Sequence, residues 1–206
     1  MRRSWYVVTL VVLLASVWAS PVWADDANPP PWRGQPGTTY ARWEFSTDNP
    51  NPAPDEEYNP NGPSQTQVTP GPGMGWLPEL DGRFGVWQLS GRIEIGIPNY
   101  PPAGPLKYVW VQLTWQGQSP GRPTVSETIS GETGQLLDEH AASPWLHSTF
   151  LIDIEPNPQY EVVSIEGPIN VDEVVIDTIC IPEPSSLAVF SVGLLGLAGA
   201  VRRKRR

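Results

Sequence analysis

The chain has 206 residues, room for one ordinary domain plus terminal segments, and a formal charge of −9. Of its 13 basic residues, seven lie at Arg2, Arg3 and the run 202–206, which leaves six against all 22 acids and a body near −16. Such a body repels phosphate backbones and anionic membrane surfaces, which argues against nucleic acid as a partner. The 25 prolines and 19 glycines approach the level of low-complexity chains, but ten tryptophans speak against disorder of the whole. The single cysteine, Cys180, excludes an internal disulfide and any cysteine-rich metal site. An exported chain with one cysteine either buries it or pairs it between chains, and its place in a β-branched run favours a buried small hydrophobe.

The N-terminus has the three parts of a secretory signal. Arg2 and Arg3 form a positive start, Trp5 to Trp18 is an uncharged and largely apolar run, and Val22-Trp23-Ala24 precedes Asp25. Residues 1–24 are expected to form a signal helix that signal peptidase removes. Residues 25–37 then read as an exposed N-terminal segment.

A domain at 38–181 follows, and its pattern has period two. In Lys107 to Trp115, Val109, Val111, Leu113 and Trp115 share one face, and Tyr108, Trp110, Gln112 and Thr114 share the other. Arg92 to Ile97 puts Ile93, Ile95 and Ile97 inward. Phe150, Ile152 and Ile154 do the same in the next run, and 160–165 and 171–181 complete the β-branched stretches. Pro/Gly/Asn clusters separate these runs, the signature of an all-β antiparallel β-sandwich of jelly-roll type. Gly134 to Ala142 is the one helix-compatible stretch. The proline-rich segment 46–78, with few apolar anchors besides Tyr58, Met74, Trp76 and Leu77, reads as a long irregular loop.

Several motif matches carry little chemistry. Gly117-Gln-Ser-Pro-Gly121 satisfies GxSxG, yet prolines at 120 and 123 oppose the strand-to-helix elbow that places a nucleophilic serine. Gly71 to Gly75 imitates a phosphate loop, but no helix follows. His140 and His147, with Asp138 or Glu139, contain zinc-type donors, although solvated histidines are the commoner case. Glu94, Glu127 and Asp153 lie in or beside strands, where solvent-facing acids are far commoner than catalytic pairs. The acids at 48, 55–57 and 172–173 offer hard oxygen ligands, so a structural calcium ion is the one cofactor considered; no cofactor is otherwise expected. Seven tryptophans outlast signal removal. Trp43, Trp87 and Trp115 read as core, while Trp32, Trp76 and Trp145, beside prolines, are the candidate ligand-stacking residues.

The final segment, 182–206, is the most specific. Pro182-Glu183-Pro184 precedes seventeen uncharged residues, 185–201, and then Arg202-Arg203-Lys204-Arg205-Arg206. At 1.5 Å rise, the uncharged run would span about 25 Å as a transmembrane helix, with the basic tail held in the cytoplasm. Gly193, Gly196 and Gly199 give that helix a small-residue stripe.

This tail resembles the PEP-CTERM sorting signal of exosortase-containing Gram-negative bacteria. The resemblance implies processing by exosortase, a membrane protease, at the Pro-Glu-Pro region. It also implies transient inner-membrane anchoring with the domain in the periplasm, then delivery to the cell surface or extracellular matrix. The expected function is that of a non-catalytic surface or matrix protein. The alternative is a carbohydrate-binding module for matrix polysaccharide, and a small glycan hydrolase or lyase ranks last.

Overall fold

A computed structural model describes residues 26–99, 106–118 and 121–181. Among these residues there are twelve strands and no helix, and every strand pairing is antiparallel. The signal helix (1–24) and transmembrane helix (185–201) expected from sequence lie outside the described residues. Within them, no helix is long and apolar enough to cross a membrane.

The larger sheet has eight strands. Its path runs β2 (Glu56–Tyr58), β1 (Thr38–Trp43), β12 (Ile169–Ile181), β7 (Leu106–Gly117), β10 (Trp145–Ile154) and β9 (Gln135–Ala142). Beside this path, β5 (Arg83–Leu89) pairs with the start of β12, and β4 (Trp76–Leu80) pairs with β5. The smaller sheet runs β3 (Gln65–Thr69), β6 (Arg92–Pro98), β11 (Tyr160–Glu166) and β8 (Thr124–Glu127).

One core joins the two sheets. Val109, Val111, Leu113 and Trp115 of β7 meet Ile93, Ile95 and Ile97 of β6 and Val163 and Ile165 of β11, all nearly inaccessible to water. Period-two alternation is the cause, since successive side chains of a strand point to opposite faces. Each such residue stabilises the fold by about 1.5–3 kcal/mol relative to exposure. Inside this core lies an ion pair between the sheets, Lys107 of β7 with Glu161 of β11, with side chains 1% and 0% exposed.

The long β12 has two neighbours along one edge. Val174 to Ile179 pair with β1, whereas Ile169 to Val171 pair with β5. A bulge at Asp172 shifts the alternation between the two halves, so Ile169 and Val171 face the core before it and Val174 and Ile176 after it. The handover occurs where Phe45 takes φ 50°. There Gly85, at φ 78°, comes so close that a Cβ would stand 2.4 Å from the Phe45 carbonyl oxygen.

Three local expectations change. The helix-compatible stretch 134–142 contains β9, an edge strand paired with β10 and almost wholly exposed. Pairing along β10 overrides its leucine-rich helix propensity. The presumed loop 46–78 contains β2, β3 and the start of β4. β3 is a genuine member of the smaller sheet, with Thr66 and Val68 buried between exposed Gln65, Gln67 and Thr69. Segment 25–37, expected as an exposed segment, has seven of its twelve described residues exposed and is anchored to the sheet from residue 26 onward. Pro30 is buried, and Asn28 donates its backbone N–H to Gln112 Oε1 at 2.7 Å and its amide to Thr149 Oγ1 at 3.1 Å.

Candidate functional site

On the outer face of the smaller sheet, opposite the core, a groove of about 520 Å³ crosses β3 and β6 to reach β11. Its outer wall is the turn at 51–53, held beside β3 where Val68 donates its N–H to the Pro50 carbonyl at 2.7 Å. The strands align Gln65, Gly96 and Val162 in one cross-sheet row. Because Gly96 has no side chain, the ring of Tyr160 lies over it; a Cβ there would meet the phenol oxygen at 1.8 Å. Burial, with the nearby Glu161, raises the Tyr160 pKa, so the phenol keeps its proton.

Polar groups surround that ring. Gln65 and Gln67 project outward from β3, whereas Thr66 turns to the core side, and the Ser64 and Thr66 hydroxyls are closed off from the groove. Among the described residues, Glu94 is the one carboxylate in the lining, with Arg92 Nε holding its Oε2 at 3.1 Å, and no lysine or arginine lines the groove.

The outer face of the larger sheet is organised differently. Here residues 26–37 form a strap. Arg33 donates Nε to Asp177 Oδ1 at 2.6 Å and Nη2 to Oδ2 at 2.5 Å, and it also pairs with Asp26. Its guanidinium lies 4.5 Å above the Tyr40 ring. Trp110 donates Nε1 to the Asn28 carbonyl at 2.9 Å, and Gln112 donates Nε2 to Asp26 at 2.7 Å. The strap thus covers β12 and β7 just before the chain leaves the domain.

That exit is abrupt. β12 lies between β1 and β7 and runs to Ile181, with Pro182 next in sequence. The family model of the PEP-CTERM protein-sorting motif matches residues 181–206. The chain carries a PEP-CTERM sorting motif. No curated protein and no solved structure matches the chain. The sorting motif therefore begins on the last residue of a central strand, with no linker between them. Pro182, Glu183 and Pro184, and the basic residues Arg202, Arg203, Lys204, Arg205 and Arg206, lie outside the described residues.

The structure separates the three candidate stacking residues. Trp145 is 2% exposed at the start of β10, beneath Arg83 and with Nε1 donating to the Asp81 carbonyl at 3.4 Å. It offers no free face. Trp76 is half-buried against the core and donates Nε1 to the Phe45 carbonyl at 2.8 Å, and Trp32 is half-buried in the strap. None of the three lines the groove. Trp43, Trp87 and Trp115 are core residues.

Several of the other sequence candidates have structural partners. Glu127 is fully buried and accepts N–H bonds from Ile129, Ser130 and Val162 at 3.1, 2.6 and 2.9 Å. His140 and His147 are cross-strand partners with ring centroids 5.0 Å apart. Among the described residues no three His, Cys, Asp or Glu gather as a metal site would need. Of the acids read as calcium ligands, Asp55 accepts the Glu44 N–H, Glu56 pairs with Arg42, Glu57 accepts the Ser64 N–H, and Asp172 pairs with Arg83. Cys180 is half-buried rather than fully enclosed, accepting from Asn157 Nδ2 at 3.4 Å. Ser119 lies outside the described residues.

Sequence reasoning missed the groove. Its residues come from a loop and three strands, and no local spacing marks them.

Proposed function

We propose that this chain is an exported protein which signal peptidase and exosortase trim at its two ends. The product is a non-catalytic domain, shown on the cell surface or released into the extracellular matrix. The observation that carries the reading is the joint between β12 and the sorting motif. Every core residue and every strand described lies before Pro182, so cleavage near Pro184 removes the tail and leaves them whole. Before cleavage, the same joint holds the domain against the outer face of the inner membrane.

The finer architecture we assign is a jelly-roll sandwich. Its support is the strand order β1-β12-β7-β10 in one sheet against β6-β11-β8 in the other, which winds as two Greek keys wind. A non-catalytic role is supported by what the acids do: Glu127 caps a turn, Glu161 pairs with Lys107, and Asp177 is held by Arg33.

The test is fractionation of the native host with and without its exosortase. The reading predicts that loss of exosortase leaves the full tail on the chain and confines it to the inner membrane. An unchanged distribution and an unchanged chain length would overturn it.

A further inference from the structure

We propose that the groove on the smaller sheet binds a neutral oligosaccharide, with the Tyr160 ring as stacking platform and the β3 amides as hydrogen-bonding partners. Its volume of about 520 Å³ falls within the roughly 300–1,000 Å³ of small-molecule sites. The lining combines the two things a sugar ring presents, an apolar face and a rim of hydroxyls. Tyr160 supplies aromatic surface of the kind that takes such a face. Gln65 and Gln67 each carry both donors and an acceptor, which suits hydroxyls that themselves donate and accept.

Charge selects the class. Among the described residues Glu94 is the lone carboxylate in the lining and no cation joins it, so an anionic glycan meets repulsion, within a body already near −16. Gly96 sets the shape, because any side chain there displaces the Tyr160 ring.

The test uses the protein purified from its host, run in native gels cast with neutral polysaccharides (β-glucan, galactomannan, xylan and the neutral fraction of the host matrix) or with alginate. The expected result is retardation by at least one neutral polymer and none by alginate. Tyr160→Ala and Gly96→Ala should each weaken that retardation at least tenfold. Tyr58→Ala, an exposed aromatic outside the groove, should leave it unchanged. Gln67→Ala, a change on an exposed surface, keeps the test valid if either groove variant fails to fold. Retardation by alginate alone, by no polymer at all, or equally in wild type and all three groove variants would overturn the proposal. So would preferential capture of a proline-rich peptide. Binding is read on purified protein, so its failure is distinct from a failure of the processing scheme above.

Discussion

Arg33 grips both carboxylate oxygens of Asp177, tying the strap that precedes β1 to the last strand of the domain. Asp177 is fully buried, and Arg33 shares its remaining donors with Asp26. Burial opposes charge on Arg33, but Asp177 and Asp26 more than offset that and raise its pKa. Removing the cation would leave a buried carboxylate without its partner. Arg33→Ala is expected to lower stability by about 3 kcal/mol, read as the shift of the urea midpoint. A loss under 1 kcal/mol would mean that the strap is not clamped.

The same pair makes stability depend on pH. Burial pushes the Asp177 carboxyl from 3.8 up to about 6, although Arg33 pulls it down. A raised carboxyl pKa means that the folded chain keeps the proton longer than the unfolded chain does. The contribution of this group is therefore most favourable below about pH 4 and declines as pH rises to about 6, by about 3 kcal/mol at most. Unfolding of wild type and Asp177→Asn, compared across pH 3.5 to 7.5, should show a stability difference that changes only in that window. A difference independent of pH would contradict the assignment.

Lys107 and Glu161 form a second buried pair, this one between the sheets. Burial raises the Glu161 pKa despite the lysine beside it. Lys107→Met alone strands a carboxyl in the core and is expected to cost about 3 kcal/mol. The double variant Lys107→Met/Glu161→Leu should recover most of that loss, because well-packed apolar residues often match a buried ion pair. Denaturation of the two variants side by side separates a buried pair from a solvated one.

Two glycines with nearly the same positive φ give a controlled comparison. Gly82, at φ 81°, faces open space, while Gly85, at φ 78°, abuts the Phe45 carbonyl. Gly82→Ala should cost about 1 kcal/mol from its backbone conformation alone. Gly85→Ala adds a backbone collision and should cost about 3 kcal/mol or more. Equal losses in thermal unfolding would show that β5 and the segment just after β1 do not meet at Phe45.

The sequence announced some of this fold clearly and was silent on the rest. β6 and β7 are visible because apolar and polar residues alternate in them over five positions or more, β10 because Phe150, Ile152 and Ile154 share one face, and β11 and β12 because they are rich in β-branched residues. β3 is hidden because its inward set is only Thr66 and Val68. β9 has no inward face to display, being an edge strand exposed on both sides. The strap escaped notice because polar side chains hold it to partners more than eighty positions away, such as Gln112 and Asp177. Trp145 was misjudged for a related reason. Its neighbouring proline suggests a loop, but Asp81 and Arg83, distant in sequence, enclose it. The sorting motif was legible because it is linear: its chemistry is carried by adjacent residues. The groove is the opposite case, assembled from three strands and a turn.

Processing at both ends is proposed to yield a free, intact domain, and the intact mass of the protein recovered from its native host is the decisive measurement. The mature protein should lack residues 1–24 and end near Pro184. A mass that retains Ser185 to Arg206 would make the tail a permanent anchor and contradict release.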